Sequence, residues 1–563
     1  MKLWSLLAIP IAIATATPLA KRAACSGNTA TDRASWCDYS TDTNYYSVTP
    51  DTGVTREYYF TIQQVTIAPD GYERIAYTVN GTIPGPTIEA DWGDTVVVHV
   101  TNNLTEARNG TSIHFHGIRQ YYTNQMDGVT SITQCPTAPG ETITYTWRAT
   151  EYGSSWYHSH IGLQAWEGVV GGIVINGPAT ANYDEDKGIL FLSDWSHATV
   201  DELYDSVLAT GPATLDNGLI NGTNVYGDDD STTQTGYRFN TSFTAGKSYR
   251  FRLVNGAIDT HFKFSIDNHT LTVIANDFVP IEPYNTTVLN IAMGQRYDII
   301  VTADQESVAE NFWMRAIPQA ACSENDSTDN IKGIVYYSDS PSTPTTTGYD
   351  YTDSCDDEDL SNLVPYLALN AGEDYWSESE PVTVLQAAEN VFLWYMNDTS
   401  MSVEWNNPTL LQIWNNDTTF SNTSSVIELP TANEWAYIVI TTTLAVPHPI
   451  HLHGHDFYIL AQGTGTYNTS DLISLTNPPR RDTAILPASG YLVVAFKTDN
   501  PGAWLMHCHI GWHTQMGLAI QFIEQYDVAR SLIDYDFLES NCAAWDSYAT
   551  VEDTVQAVYD DGI

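Results

Sequence analysis

The sequence predicts an all-β protein made of several sandwich or barrel domains, and three features of the chain support this class. Between Tyr58 and Val100, short alternating or β-branched runs are separated by Gly, Pro and Asn turns, a spacing typical of small sandwiches and barrels. A strand-like segment recurs at 94–102, 247–255 and 435–441. Helical periodicity is scarce, and the best helix candidate runs from Val528 to Phe537.

The first 22 residues resemble a targeting segment rather than part of the fold. An apolar run over residues 3–16 follows Lys2; it is too short to span a membrane and is placed like a secretory signal peptide, although a buried N-terminal helix is the alternative. A pro-segment would end at the dibasic Lys21-Arg22, so the mature chain would begin at Ala23. About a dozen Asn-x-Ser/Thr acceptors agree with a secreted, extracellular glycoprotein, among them Asn103, Asn221, Asn268, Asn285 and Asn422.

The length and the repeat predict three units after this segment. At about 150 residues a domain, 563 residues predict three or four domains. The first unit ends near Gly177-Pro178, and a Pro/Thr/Asp-rich stretch from Ser340 to Asp359 resembles a linker. We therefore expect domains at 23–178, 179–345 and 346–563.

The charge excludes one class of partner. A formal net charge of −46 would repel phosphate, so nucleic acid is not an expected partner. No stretch after the N-terminal segment is long and apolar enough to span a bilayer, so no membrane partner is expected either.

The cysteine count indicates disulfides plus one thiol with another role. Seven Cys is an odd number, and in an oxidising compartment the unpaired one needs a reason. If Cys508 binds a metal, six remain, for which 15 connectivities exist. Local pairing favours one set: Cys25–Cys37, Cys322–Cys355 and, by remainder, Cys135–Cys542.

Histidines recur two residues apart far more often than chance allows. Chance placement of 15 His in 563 residues gives about 0.4 His-x-His pairs, yet the chain has five: His114/His116, His158/His160, His451/His453, His453/His455 and His507/His509. A lone pair could be a buried strand with hydrogen-bonded histidines. Five pairs indicate metal ligation.

The segment His507-Cys508-His509 predicts two kinds of metal site on opposite faces of one strand. Side chains alternate along a strand, so the two histidines point one way and Cys508 points the other. Same-face neighbours lie roughly 6–7 Å apart, which suits two separate ions of a close pair. Cys508 would bind another metal together with His513, and two imidazoles with a thiolate are the ligands of a blue-copper electron-transfer site.

The third unit completes the ligand set. Four pairs (114/116, 158/160, 451/453 and 507/509) supply eight imidazoles, enough for three copper ions, and His448 joins Cys508 and His513 in a fourth site. Zinc is the metallic alternative. Structural zinc sites, however, prefer CxxC or HxxxH spacings and closed four-ligand shells, which this set does not fit. Structural roles are expected for the remaining histidines, His99, His197, His261, His269 and His455.

Four segments, HFHG, HSH, HPIHLHGH and HCHIGWHTQMGL, resemble the copper signatures of the multicopper oxidases, and specifically of ascomycete-type laccases. Further segments, among them 81–86, 193–195, 219–222, 296–298 and 499–502, are similar to family segments in the same order. The resemblance implies three consecutive cupredoxin domains of Greek-key β-barrel or sandwich type, with copper ligands in the first and third only. This agrees with the second copy of the repeat, which is followed by His261-Phe262-Lys263 and contains no His pair.

The resemblance also implies a role for each ligand of four copper ions, one type 1, one type 2 and two type 3. The type 1 copper would take His448, Cys508 and His513. The type 2 copper would take His114 and His451. One type 3 copper would take His116, His158 and His509, and the other His160, His453 and His507.

By the same resemblance, Leu518 occupies the axial position of the type 1 site without coordinating; Met516 is the alternative, but its spacing does not fit. A missing axial donor favours Cu(I) and raises the potential. Asp259 matches the acid at the phenol pocket of laccases, and Asp127 matches the acid that relays protons to oxygen; a solvated loop and an Asp-Gly turn are their structural alternatives. The chain ends in Asp560-Asp561-Gly562-Ile563, resembling a C-terminal plug in the channel to the cluster, although Asp561 departs from the usual Ser.

The predicted function is therefore that of a secreted laccase that takes single electrons from phenols and reduces O₂ to water. The substrates would be small phenols and O₂, and the expected assembly is a monomer. Another multicopper oxidase, such as a ferroxidase or an ascorbate oxidase, is the nearest alternative, and a copper electron carrier without catalysis is the alternative from another class. The sequence leaves open whether the natural phenol comes from lignin, a pigment precursor or a secondary metabolite.

Overall fold

The structure is a computed structural model that describes residues 27–105, 109–229, 231–373, 375–386, 391–552 and 562–563. The predicted signal and pro-segment, Cys25 and Asp561 lie outside these ranges. Strands dominate the described chain, so the predicted all-β class is confirmed.

The first ten strands lie between residues 35 and 176. They are β1 Ser35–Trp36, β2 Tyr39–Ser40, β3 Thr55–Ile67, β4 Arg74–Val79, β5 Gly85–Asp91, β6 Thr95–Asn102, β7 His114–Phe115, β8 Thr142–Arg148, β9 Gly153–His158 and β10 Val170–Asn176. Two four-stranded sheets, β4-β3-β6-β8 and β5-β10-β9-β7, contribute apolar side chains to one buried core.

The next thirteen strands form a second pair of large sheets and a small two-stranded ribbon. They are β11 Glu185–Trp195, β12 Asn217–Ile220, β13 Val225–Tyr226, β14 Thr235–Gly236, β15 Asn240–Ser242, β16 Ser248–Asn255, β17 Phe262–Ile266, β18 Leu271–Asn276, β19 Val279–Thr286, β20 Leu289–Ile291, β21 Arg296–Thr302, β22 Asn311–Pro318 and β23 Lys332–Tyr336. The large sheets are β12-β11-β16-β21-β18-β19 and β15-β23-β22-β17-β20, and the ribbon is β13-β14.

The last eleven strands repeat this plan. They are β24 Tyr375–Gln386, β25 Phe392–Met396, β26 Val426–Leu429, β27 Trp435–Thr442, β28 His448–Leu452, β29 Phe457–Thr464, β30 Arg480–Arg481, β31 Thr483–Leu486, β32 Gly490–Lys497, β33 Gly502–Cys508 and β34 Ala519–Glu524. The sheets are β25-β24-β27-β32-β29-β30 and β26-β34-β33-β28-β31. One apolar core joins side chains of the second and third units.

The three copies of the sequence repeat occupy equivalent places. β6, β16 and β27 each lie between a parallel strand that precedes them and an antiparallel strand that follows them: β3 and β8, β11 and β21, β24 and β32. The predicted repeat is thereby confirmed.

Helices are more numerous than the sequence predicted. They are α1 Val200–Thr210, α2 Thr409–Trp414, α3 Gly511–Gln515, α4 Tyr526–Leu532 and α5 Tyr535–Glu552. The prediction of a single helix from Val528 to Phe537 was wrong in its bounds, because the chain turns extended at Ile533 and starts a longer helix after it. α1 begins with a capping box, in which the Thr199 hydroxyl and the Glu202 carboxylate each bond the other residue's backbone N–H.

Two predicted disulfides are present. Cys135–Cys542 and Cys322–Cys355 have formed, and Cys508 is a buried free thiol. The predicted Cys25–Cys37 bond cannot be placed, since Cys25 is outside the described residues. No helix within the described ranges is both long enough and apolar enough to cross a membrane.

Candidate metal centre

Three predicted ligands converge between β28, β33 and α3. Cys508 Sγ lies 3.7 Å from His448 Nδ1 and 3.6 Å from His513 Nδ1, and the two nitrogens are 3.1 Å apart. β28 begins with His448, β33 ends with Cys508, and the short α3 carries His513 back over them. The three donors are close enough to share one ion, and two imidazoles with a thiol are the donor set of a blue-copper site.

The surroundings of this site are deeply buried. Burial raises the pKa of the Cys508 thiol and lowers the pKa of His448 to about 3. The Trp394 ring packs against both imidazoles, with its centroid 4.0 Å from that of His513 and 4.9 Å from that of His448. A soft cation would offset the cost of the buried thiolate, so the site fits copper.

Leu518 adjoins this site through its backbone. Its carbonyl accepts the Cys508 N–H at 3.1 Å, its own N–H donates to the His513 carbonyl at 3.0 Å, and the residue is fully buried. Met516 is also buried, and its backbone carbonyl accepts the backbone N–H of Trp394.

Eight imidazoles gather about one point between the first and third units. Antiparallel pairing sets His114 opposite His158 in one sheet and His451 opposite His507 in another. The ring centroids of His114 and His453 are 4.0 Å apart, and those of His116 and His451 are 3.8 Å apart. The donor atoms of His160, His453 and His507 lie within 4.8 Å of one another. His509 closes the group, with its centroid 5.0 Å from that of His116 and 5.7 Å from that of His158.

Most of these rings are fixed by one nitrogen and leave the other for a metal. For five of them Nδ1 is hydrogen-bonded and the buried Nε2 has no hydrogen-bond partner in the described part of the chain. The five are His114 on the Asp127 carbonyl, His158 on the Ser159 carbonyl, His451 on the Asp482 carbonyl, His453 on the Asp127 carboxylate and His507 on the Cys508 carbonyl. Metal-ligating histidines show this arrangement.

The electrostatics agree with metal binding. Burial, and secondarily the mutual proximity of the rings, lowers the pKa of His158, His160, His453 and His509 well below the usual range. Neutral imidazoles with free inner nitrogens are ready to coordinate, so the residues fit a cluster of copper ions.

Asp127 lies against two rings of this cluster. It is fully buried; its carboxylate lies 2.9 Å from His453 Nδ1 and 3.2 Å from His114 Nδ1, and its backbone carbonyl accepts from His114 Nδ1 at 2.8 Å. Gly128 makes this placement possible, because a Cβ at that position would come within 1.8 Å of the Ile113 carbonyl oxygen.

A second buried carboxylate, Asp482, is one that the sequence analysis missed. Its Oδ1 lies 3.4 Å from His116 Nε2 and 3.6 Å from His451 Nδ1. Burial alone would raise its pKa, but the Arg296 guanidinium and the two imidazoles hold that pKa well below its usual range. The available signal was the charged triplet Arg480-Arg481-Asp482, which the structure places in β30 and the bend that follows it.

The Cys508 backbone joins the two sites. Its neighbours on either side belong to the eight-histidine cluster, and its carbonyl accepts from His507 Nδ1 at 2.8 Å. The Thr514 hydroxyl also donates to this carbonyl. The path from the thiol to the cluster is therefore short and made of covalent bonds plus one hydrogen bond.

Asp259 lies on a loop that leads to the Cys508 site. The Asp194 carboxylate accepts the backbone N–H groups of Ile258, Asp259 and Thr260 at 2.9, 3.0 and 3.1 Å, and the Gly511 N–H donates to the Ile258 carbonyl at 2.9 Å. Asp259 Oδ2 is buried without a hydrogen-bond partner among the described residues. Burial, and then the nearby Asp194, raises the pKa of Asp259 to about 8.

A small cavity lies beside this loop. Trp166, Trp195, Leu203, Ile258 and Trp512 make up half of its ten lining residues. Its volume of about 20 Å³ holds about one water molecule.

Four of the five remaining histidines have polar partners elsewhere. His99 bonds Thr144, His197 bonds Asp70 and His269 bonds Tyr337, while His455 Nε2 lies 2.6 Å from a Glu524 carboxylate oxygen. His261 is buried, and neither of its ring nitrogens has a partner within the described ranges.

Gly562 and Ile563 lie beside the segment that carries His160. The Ser131 hydroxyl donates to the Gly562 carbonyl at 2.6 Å, and the Gly162 N–H donates to the Ile563 carbonyl at 2.9 Å. Ile563 is buried.

Comparison with known proteins agrees with this geometry. Three family models described as multicopper oxidase match residues 61–180, 186–339 and 394–527. Laccase-2 of Botryotinia fuckeliana is 49% identical, over 97% of this chain and 96% of the relative. The crystal structure of the laccase from Botrytis aclada superposes with a TM-score of 0.90 at 48% identity, over 95% of this chain and 99% of that one.

A more distant structure is Fet3p, described as a multicopper oxidase that functions in iron import. It superposes with a TM-score of 0.79 at 27% identity, over 87% of this chain and 95% of that one. The metal centre and the three matched models lead to one conclusion: the chain belongs to the multicopper oxidase family.

Proposed function

We propose that the protein is a laccase, which oxidises phenols one electron at a time and passes four electrons to O₂. The observation that carries the proposal is the continuity of the Cys508 site with the eight-histidine cluster through His507 and His509. An electron carrier would need only the first site. The named relatives of highest identity are laccases, whereas the iron-import protein is more distant.

We assign the ligands as the resemblance implies. His448, Cys508 and His513 would hold the type 1 copper, and Leu518 beside them would supply no ligand. Eight rings would hold the other three copper ions: His114 and His451 the type 2 ion, His116, His158 and His509 one type 3 ion, and His160, His453 and His507 the other. The observed groups match two of these sets, since His160, His453 and His507 converge and His448, Cys508 and His513 converge; His114 groups with His451 and His453 and also with His116 and His158.

Bound copper supplies the one-electron chemistry and the reduction of O₂. The chain's residues supply geometry and protons. His513 and the Ile258–Asp259 loop present an edge to the phenol, and the Asp259 carboxylate accepts the phenolic proton. Asp127, buried between His114 and His453, moves protons toward the oxygen side.

The test is O₂ consumption by the copper-loaded protein with 2,6-dimethoxyphenol, beside ferrous iron and ascorbate, with the visible spectrum recorded. Phenol-driven uptake without peroxide, together with an intense blue thiolate-to-copper band, is the expected result. Uptake only with iron or ascorbate would overturn the substrate class, and a blue band without uptake would favour the electron carrier.

The pH dependence of phenol oxidation should follow Asp259. A base acts only when deprotonated, and the pKa of Asp259 is raised to about 8, so the phenol rate should climb with pH well above the ordinary carboxyl range. Asp259→Asn should remove this climb and lower phenol kcat/KM about 100-fold at neutral pH.

Ferrocyanide, which loses no proton, is the control substrate for this variant. The ratio of phenol to ferrocyanide rates cancels pH effects on the oxygen side. An unchanged ratio profile in Asp259→Asn would reject the role of Asp259.

Leu518→Met should lower the type 1 reduction potential. A thioether at the axial position would stabilise Cu(II) relative to Cu(I). A redox titration followed at the blue band should show a lower midpoint, and phenols that are harder to oxidise should slow most. Met516→Leu is the matched control and should leave the midpoint unchanged; a shift in that variant instead would transfer the axial role to Met516.

We further propose that the protein is secreted, glycosylated and monomeric, with domains at 23–178, 179–345 and 346–563. Two disulfides in the described chain support an oxidising compartment. Light scattering of the protein from culture medium would test the monomer, and N-terminal sequencing would test cleavage after Arg22.

A further inference from the structure

Arg296 extends from the middle unit, which carries no predicted copper ligand, to the histidine cluster. It is fully buried at the start of β21. Its Nη1 and Nη2 donate to Asp482 Oδ1 and Oδ2 at 2.5 and 2.6 Å, a bidentate pair that fixes the plane of the carboxylate.

The clamped carboxylate touches rings from both ligand-bearing units. Asp482 Oδ1 is near His116 Nε2 and His451 Nδ1, and the Asp482 carbonyl accepts from His451 Nδ1 at 2.8 Å. The Thr483 hydroxyl lies 3.3 Å from His116 Nε2 and donates to Asp482 Oδ1 at 2.9 Å. His116 thus turns Nε2 toward Asp482, and its buried Nδ1 has no hydrogen-bond partner among the described residues. In the five rings described above the two nitrogens have the opposite roles: Nδ1 is hydrogen-bonded and Nε2 has no partner.

The backbone of the first unit packs closely against the Arg296–Asp482 ion pair. A Cβ on Gly117, next to His116, would lie 2.4 Å from Arg296 Nη2 and 2.5 Å from Asp482 Oδ2. A Cβ on Gly294 would lie 2.8 Å from the His509 ring, so the middle unit meets the cluster at a second point. These close approaches place the Arg296 side chain directly behind the ligands.

Arg296 is itself held in place. Asp277 accepts its backbone N–H at 3.0 Å and lies 3.4 Å from its Nη1, and Asp277 also accepts from Arg481 Nε at 3.0 Å. A buried arginine with this many partners is rigid, and its fork geometry cannot be reproduced by lysine.

We propose that Arg296 is a positioning residue of the trinuclear copper centre, acting through Asp482 on His116 and His451. The middle unit would then be part of the scaffold of the cluster rather than a spacer. The inference rests on the copper assignment proposed above. The two can be tested separately. If the wild-type protein gives no type 2 copper signal, the copper assignment is wrong, and this is known before any variant is compared.

The main test is Arg296→Lys, which keeps the charge and loses the bidentate pair. Replacing groups that orient metal ligands typically weakens metal binding about 10–100-fold. We expect type 2 copper to be lost to a chelator at a 10–100-fold lower concentration, with a changed type 2 electron paramagnetic resonance signal. The blue band reports the Cys508 site, which Arg296 and Asp482 do not contact in the hydrogen bonds and ion pairs of the described residues; it should keep its intensity and so monitors folding.

Arg315→Lys is the matched control. Arg315 also forms a bidentate pair with a buried aspartate of the middle unit, with Nε and Nη2 at 2.7 and 2.9 Å from the Asp267 carboxylate. Arg315→Lys should leave type 2 copper unaffected. Equal copper loss in both variants, or four copper ions and an unchanged type 2 signal in Arg296→Lys, would overturn the proposal.

A double-variant comparison tests whether Arg296 acts through Asp482. If it does, Arg296→Lys added to Asp482→Asn should cause no further loss of type 2 copper, whereas additive losses would show independent action and reject the proposal. If Arg296→Lys does not fold, Arg296→Gln with Asp482→Asn leaves no unpaired buried charge. That double variant should fold, show the blue band and still bind type 2 copper weakly. Full retention of type 2 copper would reject the proposal.

Discussion

Cys508→Ser is expected to abolish both the blue absorption band and phenol-driven O₂ uptake, while the protein still folds and keeps three of its four copper ions. Serine is nearly isosteric, so the buried site between His448 and His513 retains its shape. Its hydroxyl, however, is not deprotonated in such a site and is a hard donor that copper in this geometry does not favour.

The expected loss of phenol-driven turnover is complete, because the substitution removes the one sulfur donor of the type 1 site, through which electrons would enter. The backbone carbonyl that accepts from His507 Nδ1 is retained, so the cluster behind the site should stay assembled. The assay is copper analysis with the type 2 resonance signal as the internal control for the cluster. A variant that lacked the blue band yet consumed O₂ with phenol at the wild-type rate would show that electrons enter elsewhere.

The ligands could be predicted from the sequence because they lie in short segments with a fixed spacing. Each His-x-His pair straddles the end of a strand, with its second histidine just beyond β7, β9, β28 or β33. The extended spacing still holds locally, and the rings of His507 and His509 lie on one side, with centroids 5.6 Å apart. No tertiary information was needed to expect two sites there.

The residues behind the ligands could not be predicted in the same way. Arg296 and Asp482 are 186 residues apart and meet only after the second and third units pack. Local sequence shows a buried charged triplet at 480–482 but not which ring or guanidinium it faces. The middle unit was correctly expected to lack His pairs, yet its contact with the cluster follows from packing alone.

The helices show a different limit. α1 carries a capping-box pattern at Thr199 and Glu202 that was available in the sequence. Its apolar residues, Val200, Leu203, Tyr204, Val207 and Leu208, also recur at helical spacing, so this helix could have been predicted from the sequence. The predicted helix over Val528–Phe537 merged the end of α4 with the start of α5. The apolar positions of the tail do not reveal that Ile533 and Asp534 separate the two helices.

Asp127→Asn should reduce O₂ turnover about 10–100-fold while leaving the blue band and its reduction by phenol unchanged. The amide keeps the shape of the side chain but removes the negative charge, and it can present N–H toward His453 Nδ1, which the carboxylate now faces at 2.9 Å. His114 retains its hydrogen bond to the Asp127 carbonyl, so the cluster should stay assembled.

Stopped-flow measurement separates the two halves of the reaction for this variant. Anaerobic reduction of the blue band by phenol tests the Cys508 side, and reoxidation by O₂ tests the cluster side. Asp267→Asn is the control, since Asp267 is fully buried and paired with Arg315 in the middle unit. If only reoxidation slows, and only in Asp127→Asn, the carboxylate acts at the oxygen step. If reduction by phenol slows instead, Asp127 shapes the protein as a whole and is not part of the proton path.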